Sequence, residues 1–198
     1  MKNYLIKSLL ILSVGYSQRS ERNEIVYERH PNGLKKLVNI FEGTGKNKVL
    51  VGNHGFYENG LKSFIELYRN DRKHGKSILW NQRGTKIVEG TYKMGMMDGL
   101  WTYYYENGNK MGEGSFFNGD GLNLDEDGIP KNGRVGLWTS WYGNGQMKGE
   151  RTFKDGKPDG LRTVWYENGQ KKLEGTWKDG DQVGLFTQWD KNGQKKEG

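Results

Sequence analysis

The sequence lacks cysteine and has only three prolines among its 198 residues. Without cysteine the chain can form neither a disulfide framework nor a thiolate metal site. Hydrophobic residues make up 33% of the chain and the mean hydropathy is −0.93. Such values argue against one large aliphatic core and approach those of disordered chains.

Glycine and aromatic residues, by contrast, are abundant. The chain has 31 glycines, seven tryptophans, eleven tyrosines and seven phenylalanines. Disordered chains are poor in aromatic residues, so this composition excludes full disorder. Many glycines with many aromatics and few prolines indicate many short strands joined by tight turns.

An internal repeat runs through most of the chain. Asn-Gly, or Arg-Gly once, recurs with glycines at 33, 60, 84, 108, 145, 169 and 193, and four of the six spacings are 24 residues. Aromatic residues recur at two fixed distances from these glycines. Eight residues after the glycine stand Phe41, Tyr68, Tyr92, Phe116, Phe153 and Trp177; four residues before it stand Phe56, Trp80, Tyr104, Trp141, Trp165 and Trp189.

This period predicts an all-β fold, an elongated antiparallel β-meander of about seven 24-residue hairpins. Asn-Gly between two aromatic-rich runs is a strong hairpin signal and favours a type I′ turn. Lys171–Lys178 is predicted as a returning strand. Asn118-Gly119, Asp155-Gly156 and Asp179-Gly180 are expected to turn the chain into the next hairpin. About seven hairpins correspond to roughly a dozen strands.

The pattern does not decide which face of each strand is buried, because apolar residues occupy both parities and the register depends on a bulge at the Asn-Gly turn. Gly90, Gly114 and Gly175 lie six residues after a turn glycine. We expect an aromatic ring to lie over the bare backbone at each of them.

These motifs resemble the MORN repeat, in its bacterial YwqK-type, antitoxin-like variant. The pattern is carried by residues 99–114, 136–156 and 160–180, and the resemblance covers about residues 24–198. It implies an extended β-meander that contacts proteins or membranes without catalysis.

Residues 1–17 are predicted to be a signal peptide, followed by the repeat array at 18–198. Lys2 and Lys7 precede an apolar run at 8–14 that is too short for a membrane span, and Gly15 and Ser17 precede the expected cleavage site. Export would place the mature protein in the periplasm, on the outer surface or outside the cell. Within the array, repeats 24–74 are degenerate, repeats 75–198 are regular, and 118–134 is an inserted acidic loop.

The sequence shows no catalytic or cofactor motif, and the prediction is a protein without enzymatic activity or cofactor. His30, His54 and His74 have no ligand spacing. Asp120, Asp125 and Asp127 of the inserted loop are weak candidates for Ca²⁺ ligands, because leucines interrupt the alternating pattern of an EF-hand. The alternative is a solvated, lengthened turn.

Charged residues also keep the period. Lysines stand two residues after most turn glycines, and Glu89, Glu113, Glu150 and Glu174 stand three residues further on. Such columns form a self-compensating charge ladder or a surface that attracts anions. The candidate binding surface consists of Trp101, Trp138, Trp141, Trp165, Tyr166, Trp189, Lys110, Lys171 and Lys195.

The favoured function is a protein–protein interaction or scaffold module at the cell envelope, with another protein as partner. Binding of envelope glycan or anionic lipid through the aromatic and lysine ladders is one alternative. A role as antitoxin or immunity partner of a toxin is a second. Nucleic acid is an unlikely partner for an exported chain.

Overall fold

The computed structural model describes residues 22–196, which form one antiparallel sheet of 13 strands. Spatial order follows chain order throughout, so the fold is the expected all-β meander, and with strands about 4.8 Å apart the sheet is roughly 58 Å across. The strands are Arg22–Arg29 (β1), Lys35–Glu42 (β2), Val49–Phe56 (β3), Lys62–Arg69 (β4), Arg72–Trp80 (β5), Lys86–Lys93 (β6), Met96–Tyr104 (β7), Lys110–Gly119 (β8), Arg134–Trp141 (β9), Met147–Lys154 (β10), Lys157–Trp165 (β11), Lys171–Lys178 (β12) and Asp181–Gln188 (β13). A 3-10 turn at Gly45–Asn47 separates β2 from β3.

The predicted signal peptide at residues 1–17 lies outside the described residues. Within residues 22–196, no helix has the length and apolarity needed to span a membrane.

The Asn-Gly turns are not type I′, and that prediction was wrong. In a representative turn, Gly169 N–H donates to the Tyr166 carbonyl over 2.9 Å and Tyr166 N–H donates to the Gln170 carbonyl over 2.8 Å. Gly169 has φ +83°, whereas Asn168 is not in the left-handed region. This is a type I turn followed by a glycine bulge. The Asn168 side chain supports it, because its Oδ1 accepts the N–H of Gln170.

Type I′ turns occur instead between the hairpins. Asp155-Gly156 and Asp179-Gly180 have positive φ at both residues, and each pair directly joins two hydrogen-bonded strands. These two predicted turns are confirmed. Asn118-Gly119 is not a turn into the next hairpin: Gly119 is the last residue of β8, and the chain continues into the insertion.

The glycine bulges decide which side chains share a face. Each bulge adds one residue to its hairpin, and register shifts occur beside the Asn-Gly turns throughout the sheet. We call the side that carries Trp101, Phe116 and Trp138 the core face. We call the opposite side, which carries Glu89, Thr102 and the residues paired with them, the ladder face.

Aromatic rings pack edge to face along the core face. Ring centroids lie 5.1 Å apart for Tyr92–Trp101, 6.3 Å for Trp101–Phe116 and 4.9 Å for Phe116–Trp138. Trp101, Phe116 and Trp138 are each 5% exposed or less. An edge-to-face pair contributes about 0.5–1.5 kcal/mol beyond the area it buries. In β6–β10 the hydrophobic core is therefore a row of rings on one sheet face, whereas Val38 and Ile78 are buried on the opposite face of the first strands.

The predicted ring-over-glycine contacts are confirmed. A Cβ at Gly90 would overlap the Trp101 indole, and one at Gly114 would overlap the Trp138 indole. At Gly175 the neighbouring rings are Phe186 and Trp177, at 3.0 and 3.2 Å from such a Cβ. Glycine is thus required at these strand positions by the close approach of a ring.

The insertion between β8 and β9 folds over the core face and is not a fully solvated loop. It forms a small hairpin, in which Asp125 N–H donates to the Ile129 carbonyl and Gly128 N–H donates to the Asp125 carbonyl. Ile129 is 3% exposed and lies over Gly112. Arg134 anchors this hairpin by donating to the carbonyls of Pro130 and Ile129 and by pairing with Asp125.

Candidate binding surface

The ladder face carries three parallel rows of side chains across the strands. One row is aromatic and lysine, the middle row alternates glutamate and threonine, and the third row is leucine. Side chains directly opposite one another on paired strands point to the same face, so the strand register assigns each row.

The aromatic–lysine row lies next to the Asn-Gly turns. Within a hairpin, an aromatic residue is directly opposite a lysine in five cases: Phe56–Lys62, Trp80–Lys86, Tyr104–Lys110, Trp165–Lys171 and Trp189–Lys195. Between hairpins, the ammonium of Lys110 lies 5.5 Å from the centroid of the Trp141 ring. Lys86 and Lys171 make the same contact with Tyr104 and Trp189. The row is therefore a chain of cation–π contacts with partly exposed rings.

The glutamate–threonine row crosses eight strands in an unbroken series. Its members, each opposite the next, are Glu89, Thr102, Glu113, Thr139, Glu150, Thr163, Glu174 and Thr187. Thr102 is 5% exposed and its hydroxyl donates to the Glu113 carboxylate over 2.9 Å. The sequence placed the glutamates in one column but missed the threonines that separate them.

The lysines of the first row and the glutamates of the second neutralise each other. Nζ–carboxylate distances are 2.8 Å for Lys86–Glu89, 2.7 Å for Lys110–Glu113 and 2.6 Å for Lys171–Glu174. The Lys86 hydrogen bond holds the pKa of Glu89 below its usual value, with a further bond from Tyr104. Burial, together with that same carboxylate, raises the pKa of Tyr104 to about 12. The tyrosine therefore stays neutral and donates to Glu89 at neutral pH.

The leucine row is the most exposed apolar feature of the repeats. Leu100, Leu137, Leu161 and Leu185 follow Gly99, Gly136, Gly160 and Gly184, and they are 59%, 55%, 52% and 91% exposed. Because they lie on every second strand, successive leucines are about 9.6 Å apart. The four leucines thus form a regular series of exposed apolar side chains on the ladder face.

The Asn-Gly edge of the sheet is linked from hairpin to hairpin by side chains that the sequence analysis missed. Tyr142 Oη donates to the Trp165 carbonyl over 2.7 Å, and Tyr166 Oη donates to the Trp189 carbonyl over 2.9 Å. Asn168 Nδ2 donates to the Lys191 carbonyl in the next turn over 2.8 Å. A tyrosine recurs three residues before most turn glycines, and this spacing could have indicated the links between hairpins.

The residues predicted from the sequence as a candidate binding surface lie in three different parts of the sheet. Trp141, Trp165, Trp189, Lys110, Lys171 and Lys195 lie in the aromatic–lysine row. Tyr166 lies at the Asn-Gly edge. Trp101 and Trp138 are 3% and 5% exposed and pack in the core, so they are not part of an accessible surface.

The carboxylates considered for Ca²⁺ are engaged by protein donors. Asp120 accepts from Leu122 N–H and Asn132 Nδ2, Asp125 pairs with Arg134, and Asp127 pairs with Lys148. Among residues 22–196, no three acidic, histidine or cysteine side chains are grouped to hold a metal ion.

The three histidines lie apart and serve different local contacts. His30 Nε2 donates to the Phe56 carbonyl over 2.8 Å, in the position that tyrosine takes in other turns. His74 Nδ1 accepts from Met94 N–H. Burial, followed by the charge of Lys62, lowers the pKa of His54.

Three hairpins of this sheet match the family model described as MORN repeat variant. The matched segments are residues 97–118, 134–155 and 158–179, which correspond to β7–β8, β9–β10 and β11–β12 and make up about a third of the chain. No curated protein matches the chain significantly. MORN repeats commonly mediate protein or membrane interactions. These three hairpins are thus repeats of the MORN variant type.

Proposed function

We propose that the chain is a non-enzymatic interaction module that docks another protein on its ladder face, at the cell envelope after export. The main support for docking on this face is the leucine row, in which four leucines, each more than half exposed, stand at the same position of successive hairpins. Exposed apolar side chains in a regular row favour a protein partner with a matching apolar stripe.

The charges of the ladder face support a protein partner over an anionic polymer or lipid. Lys86, Lys110 and Lys171 are each paired with a glutamate of the same strand. The paired charges weaken any long-range attraction for anions, so contact depends on the apolar row and the rings beside it.

Glycan binding is the second candidate, since one partly exposed ring per hairpin forms a regular series. The lysines oppose it, because Lys110 and Lys171 each occupy a position within 5.5 Å of the centroid of a neighbouring ring. A sugar would have to stack on the remaining ring surface. An antitoxin role is a special case of protein docking, in which the partner is a toxin.

The test replaces leucines of the row by glutamate. We expect Leu137→Glu/Leu161→Glu to lose the partner captured from an envelope fraction by the tagged chain, because the charges break the apolar stripe. The matched control is Leu122→Glu/Leu124→Glu, which changes two leucines of similar exposure, 62% and 56%, in the insertion.

Docking on the ladder face would be contradicted if Leu137→Glu/Leu161→Glu captured the same partner as Leu122→Glu/Leu124→Glu. A glycan array run in parallel decides the second candidate. Binding there that survives Leu137→Glu/Leu161→Glu and is lost in Trp141→Ala/Trp165→Ala would replace the protein partner by a sugar.

A further inference from the structure

Within β6–β13, the core face breaks its own repeat at one place. Where one hairpin meets the next, a glycine lies against an aromatic ring: Gly90 against Trp101, Gly114 against Trp138, and Gly175 against Phe186. The equivalent positions between β10 and β11 are Arg151 and Arg162, which stand directly opposite each other. Two arginines therefore replace a glycine and a ring.

This arginine pair is electrostatically unfavourable by itself. Like charges directly opposite on neighbouring strands repel, and both side chains are partly buried. No carboxylate within the described chain forms an ion pair with either of them, and the buried Nε of Arg151 has no hydrogen-bond acceptor. Burial lowers the pKa of Arg151 to about 10, and the charges of Arg162 and Arg134 add to the effect.

Aromatic faces hold the two guanidiniums in place. Arg151 lies 5.7 Å from the Phe153 ring centroid and 5.2 Å from that of Trp177, and Arg162 lies 5.6 Å from the latter. Cation–π contacts orient a guanidinium through its flat face. Its N–H groups, which point outward in the guanidinium plane, can still donate to an acceptor. The pair is thus preorganised, with unused donors.

A half-open cavity of about 680 Å³ adjoins the pair, in the space between the insertion and the sheet. Ser140 and Gly149 are small residues on its floor, Ile129 and Val164 are apolar parts of its lining, and Arg151 and Arg162 are also among the lining residues. This volume lies within the range of about 300–1,000 Å³ that is usual for small-molecule sites.

Two ion pairs involve four of the other charged groups around the cavity. Asp125 pairs with Arg134, and Asp127 pairs with Lys148 over 2.7 Å. Lys131 and the exposed Glu126 stand on the insertion side, and Glu150 belongs to the ladder face. Three cations of the cavity form no ion pair within the described residues: Lys131, which is exposed on the insertion, and Arg151 and Arg162, which are partly buried on the sheet.

We propose that this cavity binds a small organic anion, whose carboxylate or phosphate group is held by Arg151 and Arg162. Guanidinium groups donate two parallel hydrogen bonds to such oxyanions, and two of them on adjacent strands form a clamp. The apolar body of the ligand would contact Ile129 and Val164. This site lies on the core face and is separate from the docking surface proposed above.

The test measures binding of phenyl phosphate and benzoate to the full chain by calorimetry, with phenol as the neutral probe. Arg151→Gly/Arg162→Trp restores the glycine–ring pair of the other hairpins, so it should fold while losing the clamp. We expect at least a roughly tenfold loss of anion affinity, as for removal of charge-assisted hydrogen bonds. Arg162→Gln is a second, smaller change with the same expected direction.

The matched control is Arg69→Gln/Arg72→Gln, because these arginines are also directly opposite each other, but exposed beside a turn. It removes the same charge and should leave anion binding unchanged. The proposal is overturned if neither anion binds the wild-type chain better than phenol does. It is also overturned if the control loses as much affinity as Arg151→Gly/Arg162→Trp, which removes the same number of charges.

Discussion

Glycine positions under aromatic rings hold the core face together at the scale of single residues. Gly114 has an ordinary strand conformation, so the reason for glycine there is the Trp138 indole that lies over its Cα. Strand interiors usually disfavour glycine because it has no side chain to pack. Here the neighbouring ring supplies that packing, and the sequence predicted the contact from spacing alone.

Gly114→Ala should therefore destabilise the protein although alanine is the better strand residue. The added Cβ would overlap Trp138, which is 5% exposed, so this buried ring would have to shift. We expect the free energy of unfolding to fall by about 1–3 kcal/mol, as for other overpacked cores. Urea denaturation measures it.

Gly143→Ala is the matched control, because nothing lies within 4 Å of a Cβ at that position. Its free energy of unfolding should change by less than about 0.5 kcal/mol, as at ordinary surface sites. Equal losses in both variants would show that the ring contact does not decide the cost.

At the scale of elements, the positions of the hairpins could be predicted from the sequence. Which side chains of each strand lie on the buried face could not. Asn-Gly spacing located the hairpins, and Lys171–Lys178 was predicted with its bounds. The turn type was wrong, because Asn168 caps the turn through its side chain and leaves positive φ to Gly169 alone. The resulting bulge shifts the parity of each strand, so the sequence could not tell that Trp138 is buried and Trp141 partly exposed.

The hydrogen bond between neighbouring Asn-Gly turns should contribute to stability. Tyr142→Phe removes the donor that reaches the Trp165 carbonyl over 2.7 Å and leaves the ring in place. We expect a loss of about 1 kcal/mol in the free energy of unfolding, the usual net value of one such bond. Thermal and urea unfolding measure the change.

Tyr27→Phe is the control, since Tyr27 is 72% exposed and lies on the first strand. Its unfolding free energy should stay the same within error. If Tyr27→Phe lost as much stability as Tyr142→Phe, the loss would not be due to the hydrogen bond between neighbouring turns.

At the scale of the whole molecule, the low hydrophobic content follows from a single-layer sheet whose regular hairpins pack their rings on one face. Trp101, Phe116 and Trp138 bury their rings on the core face, while lysine, glutamate and threonine share the ladder face with partly exposed rings and exposed leucines. Stability in such arrays comes from contacts between neighbouring repeats. The insertion was not predictable as a cover for this face, because residues 118–134 have no counterpart in the other repeats and no local signal places Ile129 over Gly112.

Tryptophan oxidation tests whether the sheet has a buried core face and a partly exposed ladder face. Hydroxyl-radical footprinting with mass spectrometry reports each of the seven tryptophans separately. On the core face Trp101, Trp138 and Trp177 are 3%, 5% and 8% exposed, whereas Trp80, Trp141, Trp165 and Trp189 are partly exposed on the ladder face. We expect several-fold slower oxidation of Trp101, Trp138 and Trp177 in the native protein, and equal rates for all seven tryptophans in denaturant. Native rates for Trp101 and Trp138 as fast as those for Trp141 and Trp165 would contradict this division into two faces.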